Sequence, residues 1–222
     1  MQLARALSAV LFLAIAHVHG DDRATGSEKW EKEIEAFEKA DMEHPPEPGG
    51  IVFVGSSSIR LWKTLAQDFP GHRVLNRGFG GSEIADSVAF AERIVIPYGP
   101  RQVVMYAGGN DLNAGRSPEK VIADFKAFAG KILASLPDAE IAYISSAPNP
   151  ARWAQVEKVK AVNSAIEAWM KEQPRMKFIN VFPHMLGADG LPKPEIFTDD
   201  KLHMNAAGYA IWKEVVGPYL AK

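Results

Sequence analysis

The chain has 222 residues, 25 basic against 27 acidic side chains for a formal net charge of -2, and no cysteine. Hydrophobic residues at 47% and charged residues at 23% are the balance of one globular domain with a core, not of a disordered chain. The missing cysteine excludes a disulfide scaffold, thiolate metal sites, a cysteine nucleophile and cysteine lipidation, and the charge balance gives no support for a nucleic-acid partner.

Met1 to Arg5 carries one positive charge, and Ala6 to Ala16 is apolar apart from Ser8. The run has the length of a signal-peptide core and is too short to span a bilayer permanently. Small residues close it at Ala16 and again at Gly20. The second point is followed by Asp21-Asp22 and is the expected cleavage site, so residues 1–20 read as a signal peptide. The competing reading is an amphipathic or membrane-anchoring helix. On the first reading the protein is exported, periplasmic or secreted, with no stable membrane insertion once the signal is removed.

Residues 28 to 42 place Trp30, Ile34 and Phe37 at helical spacing on a charged background, with Ala40 and Met42 as extensions. Pro and Gly residues between His44 and Gly50 end that helix. Ile51 to Val54 is a mostly β-branched apolar run, the pattern of a strand buried on both faces. Val74-Leu75 gives a weaker second strand, Gln102 to Ala107 a third, Glu140 to Ile144 a fourth and Lys177 to Phe182 a fifth. Helical stripes fall between them: Ile84, Val88, Ala91 and Val95; Val121, Phe125, Phe128, Ile132 and Leu136, opened by Ser117-Pro118-Glu119; Val156, Val159, Ile166 and Trp169. A last stripe, Tyr209, Trp212 and Val215, has Asn205 as its cap. Trp30, Phe37, Trp169 and Trp212 are core positions by spacing. Strands alternating with helices predict an α/β fold, a parallel sheet covered on both faces.

Ligands of such sheets sit beyond the carboxyl ends of the strands. Those ends carry Gly55-Ser56-Ser57-Ser58, Asn76 to Ser82, Gly108-Gly109-Asn110-Asp111, Ser145 to Trp153 and, further on, Asp199-Asp200-Lys201-Leu202-His203. A serine opening a helix straight after a buried strand is exposed at the mouth of the site, beside unpaired helix N–H groups that can hold an oxyanion. It needs a base. Of six histidines, only His203 has both a carboxylate three residues earlier, Asp200, and a helix start behind it. Gly81 and Asn110 are suitable oxyanion donors on two other loops at the same edge. Asp111 reads as a turn cap. Taken singly, these motifs also occur as ordinary turns and caps; their order and common sheet edge give the combination its meaning.

The four blocks resemble those of the SGNH hydrolases, the GDSL-type esterase/acylhydrolase superfamily, in the branch of platelet-activating-factor acetylhydrolase catalytic subunits and bacterial acetylesterases. The resemblance runs from about Ile51 to the C-terminus. It implies a single flavodoxin-like three-layer domain with a five-stranded parallel sheet over residues 51–222, preceded by an N-terminal helix and linker over 21–50. It also implies Ser57 as nucleophile, His203 as base and Asp200 as its orienting carboxylate. The oxyanion hole would be made by Ser57, Gly81 and Asn110, with no metal or organic cofactor. Ser56 and Ser58 stand where the family pattern has aspartate and leucine, so three adjacent serines leave the register open, with Ser56 and Ser58 as alternatives to Ser57 and Asp199 as the alternative to Asp200.

Arg60, Trp62, Arg77, Arg152 and Trp153 lie near strand ends. Arg77, Arg152 and Trp153 are the substrate-binding candidates, against a competing reading as packing and surface charge. Connections are short, the longest being Pro183 to Thr198, which is placed to shape one wall of the site. By analogy with the family, an open site suits small acyl groups, O-acetyl on carbohydrate among them. The rival readings are a lysophospholipase or thioesterase acting on longer chains, and a non-catalytic module binding phosphate, flavin or carbohydrate.

Overall fold

The computed structural model describes residues 28–222. The expected signal peptide lies outside the described residues.

Five strands form one all-parallel sheet in the order β2-β1-β3-β4-β5. They are β1 (Ile51–Gly55), β2 (Val74–Gly78), β3 (Gln102–Tyr106), β4 (Glu140–Ile144) and β5 (Met176–Ile179). Helix α1 (Glu31–Glu43) precedes the sheet. Short α2 (Ser57–Arg60) and α3 (Leu65–Asp68) link β1 to β2, and α4 (Ile84–Ile94) links β2 to β3. Next come α5 (Gly109–Asn113) and α6 (Pro118–Ser135) before β4, then α7 (Val156–Lys171) before β5. Helix α8 (Ala206–Val216) closes the fold.

Alternation along β1 divides the core between the two faces of the sheet. Val52 and Val54 join Val103, Met105 and Tyr143 under residues of α1, α4, α6 and α7. Ile51 and Phe53 join Val104 and Ile144 under Trp62, Phe69, Tyr209 and Trp212. Trp212 is fully buried, whereas Trp30, Phe37 and Trp169 are partly buried at the margin of the first cluster. Met42 is exposed and extends no apolar face.

Besides the single residues added to β1 at Gly55 and to β5 at Met176, three strand ends differ from the sequence expectation, each for a local reason. β2 continues through polar Asn76 and Arg77 because both side chains find partners beside this edge strand: Asn76 Nδ2 donates to the Ile59 carbonyl at 2.6 Å, and Arg77 pairs with Asp41. β3 stops at Tyr106, short of Ala107, where Gly108 turns into α5. β5 stops at Ile179 because the N–H groups of Val181 and Phe182 are taken by Ser145 Oγ (3.0 and 3.3 Å) rather than by a neighbouring strand.

Helix caps follow the sequence more closely. Ser117 Oγ accepts from Lys120 N, and Asn205 Oδ1 accepts from Ala207 N and Gly208 N. The helix before the sheet packs on this same domain. Ile34 is buried, and Arg93 of α4 donates to both Glu31 and Glu38.

Gly55 carries the closest constraint. Its φ is +134°, and a Cβ there would stand 2.0 Å from the Tyr106 carbonyl oxygen. Only glycine lets β1 pass β3 and turn at once into α2. Gly55→Ala is expected to cost on the order of 3 kcal/mol or more, by strain plus backbone overlap. Urea denaturation measures it, and a loss below ~1 kcal/mol would show that β1 and β3 separate freely here.

Candidate active site

Every loop singled out in the sequence leaves the carboxyl edge of the sheet, around the β1/β3 switch point of the strand order. Ser56 completes the β1 pairing by donating its N–H to the Tyr106 carbonyl (3.0 Å), and its own carbonyl opens α2 by accepting from Ile59 N and Arg60 N. Ser57 is therefore the first helical residue. Helix α2 is a single turn, so what it offers the site is local N–H groups rather than a macrodipole.

Of the three serines, Ser57 is the one whose hydroxyl meets His203: Oγ lies 2.9 Å from Nε2. Ser56 is buried, and the Ser58 side chain lies beside Tyr106 instead. On the other side of the imidazole, Nδ1 lies 2.5 Å from Asp200 Oδ2. An ionised carboxylate only accepts, so Nδ1 carries the proton. Nε2 is then left as an acceptor for the Ser57 hydroxyl.

Asp200, rather than Asp199, is held by its own turn. Its Oδ1 accepts from the Thr198 hydroxyl (2.8 Å), Leu202 N (2.9 Å) and His203 N (2.9 Å). Lys201 makes this possible by adopting φ +57°, the only positive φ at a non-glycine residue among the described residues. The His203 N–H first, then the His203 ring, the Leu202 N–H and the Thr198 hydroxyl hold this carboxyl well below the usual carboxylate range against the opposing effect of burial. It stays ionised through neutral pH and fixes the imidazole orientation.

Asn110 opens α5 after β3. Its Nδ2 donates to the Ser82 carbonyl (3.0 Å), which ties the β3 loop to the β2 loop one residue beyond Gly81. Gly81 has φ +79° and sits under Trp30, whose ring would stand 3.2 Å from a Cβ there. Asp111 is fully buried. Its Oδ1 accepts from Ile84 N, fixing the start of α4, while Oδ2 has no hydrogen-bond partner.

Ser57, Asn110 and His203 line one cleft of about 40 Å³. Its far wall comes from Ala147 to Val159 and Phe182 rather than from the 183–198 connection. Arg152 and Trp153, both half-buried, stand in that wall. Arg77 does not reach the cleft. It is buried against Asp41 and the Tyr98 hydroxyl (2.9 Å) and covered by the rings of Phe37 and Tyr98, so it joins α1 to β2 and is removed from the substrate-binding set. Trp62 is also core, packed edge-on against Phe53, Phe69 and Trp212. Arg60 is exposed and lies across Gly80.

Two contributors had no assigned role in the sequence. Tyr106, the last residue of β3, lines the cleft floor, and its hydroxyl accepts from Ala147 N at 3.4 Å. Ser146 is clamped to α7 by reciprocal bonds with Asn163 (2.8 and 3.0 Å), which fixes the base of the far wall. Ser145-Ser146 at a strand end was the visible signal; the Asn163 partner carries none. Among the described residues no group of three or more His, Cys, Asp or Glu is placed to hold a metal ion.

The arrangement is a hydroxyl on an oriented imidazole, with the Asn110 carboxamide lining the same cleft, which is suited to acyl transfer. Residues 53–211 match the GDSL-like Lipase/Acylhydrolase family. The chain belongs to that family. It is a carboxylic ester hydrolase of the SGNH superfamily. Among curated relatives it is similar to platelet-activating factor acetylhydrolase IB subunit alpha1 of Pongo abelii, 27% identical over 198 residues that cover 83% of this chain and 80% of that one. The fold is shared with a GDSL-like lipase from Bacteroides thetaiotaomicron (TM-score 0.67, 21% identity, 87% of this chain and 96% of that one). It is also shared with a point variant of an acetyl-xylooligosaccharide esterase from Geobacillus (TM-score 0.61, 15% identity, 80% and 97%).

Within this GDSL-family site, Asp111 has a consequence for stability. Burial first, then the nearby charges of Glu83 and Asp124, push its carboxyl up to about 7, against the lowering effect of the Ile84 and Asp111 N–H groups. In the unfolded chain it titrates near its ordinary value of 3.8. The folded state therefore binds the proton more tightly, and stability falls as pH rises between those two values. The lowered carboxylates, Asp200, Asp68, Glu38 and Glu119, act at and below the acid edge of this window and with opposite sign. Asp111→Asn is expected to gain stability relative to wild type as pH rises from about 4 to about 7, by on the order of 2–4 kcal/mol. Denaturant unfolding at several pH values measures this, and a pH-independent difference would remove Asp111 as the source.

Proposed function

We propose that this esterase hydrolyses short-chain carboxylic esters, acetyl esters foremost, with O-acetyl groups on carbohydrate as its natural class of substrate. The observation that carries the mechanism is the continuous path Ser57 Oγ, His203 Nε2, His203 Nδ1, Asp200 Oδ2, with contacts of 2.9 and 2.5 Å. Ser57 attacks the ester carbonyl carbon while its proton passes to His203 Nε2. Asp200 stays ionised and stabilises the imidazolium. The tetrahedral oxyanion is met by the N–H of Ser57, the N–H of Gly81 and the remaining Nδ2–H of Asn110. His203 then protonates the leaving alcohol as the tetrahedral intermediate collapses. Water, activated in turn by His203, releases the acid and restores Ser57.

The small cleft, about 40 Å³, supports a short acyl group. The half-buried Trp153 and Asn149 in its far wall support a polar alcohol. The likeness to an acetyl-xylooligosaccharide esterase is consistent with carbohydrate as that alcohol. The apolar run Ala6 to Ala16 supports export from the cytoplasm.

Hydrolysis of p-nitrophenyl acetate, butyrate and octanoate tests the reading. Turnover is expected to be highest on the acetate and to fall with chain length. Ser57→Ala is expected to lower kcat by at least about 10³-fold, and Asn110→Ala by about 10²–10³-fold. Octanoate as the best substrate would replace this reading with a long-chain acylhydrolase, and unchanged turnover in Asn110→Ala would remove that amide from the oxyanion site.

A further inference from the structure

An asparagine that stabilises an oxyanion must present its N–H₂ end and not its oxygen, yet the two ends of a carboxamide are almost the same shape. Packing alone does not choose between them; hydrogen-bond partners do. Asn110 has a partner at each end. Its Nδ2 donates to the Ser82 carbonyl at 3.0 Å. Its Oδ1 accepts from Arg152 Nη1, also at 3.0 Å. A guanidinium has no acceptor and a carbonyl has no donor, so the flipped amide would lose both bonds and set oxygen against oxygen and N–H against N–H. With Ser82 taking one Nδ2 proton, the other is left for the cleft that Asn110 shares with Ser57 and His203.

Arg152 is built for this task. The same Nη1 also donates to the Gly109 carbonyl at 3.1 Å, so it grips the loop on both sides of the Gly109–Asn110 peptide. Among the described residues it forms no ion pair with a carboxylate. Its own placement is fixed by a 3-10 turn, Pro150–Gln155, capped by the Asn149 side chain on Arg152 N (2.9 Å). That turn is bonded in addition to the Asp200–His203 segment, Ala151 N donating to the Lys201 carbonyl at 3.0 Å. The turn after β4 therefore spans from the oxyanion loop to the acid–base loop, although it belongs to none of the four sequence blocks.

We propose that Arg152 is a positioning residue for the oxyanion site. It locks the Asn110 carboxamide with Nδ2 facing Ser57, and its charge on Oδ1 polarises the amide so that the free N–H becomes a stronger donor as the oxyanion forms. Arg152 acts through Asn110 and not on the substrate. The inference rests on the esterase reading above and goes beyond it by assigning the guanidinium to the reaction rather than to the alcohol.

A double-mutant cycle on p-nitrophenyl acetate tests it, with thermal unfolding of each variant recorded alongside. Arg152→Met is expected to lower kcat by about 10-fold or more, less than the ~10²–10³-fold cost of losing the donor outright, with KM changed less than about two-fold. In the Asn110→Ala background the same substitution is expected to cost less than about two-fold, because there is no amide left to orient. An equal loss in both backgrounds, or a rise in KM at constant kcat, overturns the proposal in favour of substrate binding or a general structural role. If Arg152→Met does not fold, Arg152→Gln, which keeps one donor for Oδ1 without the charge, takes its place in the same cycle with the same criterion. Wild-type turnover that is abolished by Ser57→Ala is the control on the underlying reading. If it is absent, Arg152 has no reaction to serve and both readings fall; if it is present and the cycle shows no coupling, only the role of Arg152 fails.

Discussion

Strand β1 is buried at all five positions and lies between β2 and β3. Its last residue, Gly55, faces Gly78 on one side and Tyr106 on the other. The rest of the site depends on this close approach. Because three parallel strands end together, the loops carrying Ser57, Gly81 and Asn110 start from one line. Because Gly55 has no Cβ, the chain turns into α2 without a spacer, and Ser57 falls at the first helical position. A site assembled from separate loops needs such a rigid origin, since small errors of placement are costly in acyl transfer.

Around that origin the polar groups are held by pairs of constraints rather than by single contacts. Asp200 is bound through one oxygen by its own turn and through the other by His203. Asn110 is bound at its oxygen by Arg152 and at its nitrogen by Ser82. Ser146 and Asn163 are bound reciprocally. Each arrangement removes one rotational freedom that a lone hydrogen bond would leave. The counter-example is Asp111, buried with one oxygen unpartnered. The same residue anchors α4 through Ile84 N, so the molecule accepts an electrostatic cost at neutral pH to join the β2 and β3 loops.

Much of the fold was legible because the apolar patterns are unmixed. The runs at Ile51, Gln102 and Glu140 are strands buried on both faces, and the caps at Ser117 and Asn205 carry their signal in the side chain itself. The weak points have one cause: polar residues satisfied by partners distant in sequence. Asn76 and Arg77 look like the end of a strand because Ile59 and Asp41 are invisible as their partners. Arg77 looks like a substrate ligand for the same reason. Val181-Phe182 looks like strand because nothing in the sequence says that Ser145 will take its N–H groups. For the site, residue types and their order brought the four blocks to one edge. The register among Ser56, Ser57 and Ser58, and the choice between Asp199 and Asp200, needed geometry, since a one-residue step on a helix or tight turn changes direction and leaves composition unchanged. Arg152 was legible as a charge near a strand end, but its partner Asn110 lies 42 positions away.

The central claim is that Ser57 is the activated hydroxyl. Labelling the folded protein with a fluorophosphonate, followed by peptide mass spectrometry, tests it most directly, because such reagents modify a serine only where a neighbouring base removes its proton and donors stabilise the resulting oxyanion. The account predicts stoichiometric modification of Ser57 alone, suppressed in His203→Ala. Modification of Ser56 or Ser58, or labelling of Ser57 that survives the loss of His203, would contradict it.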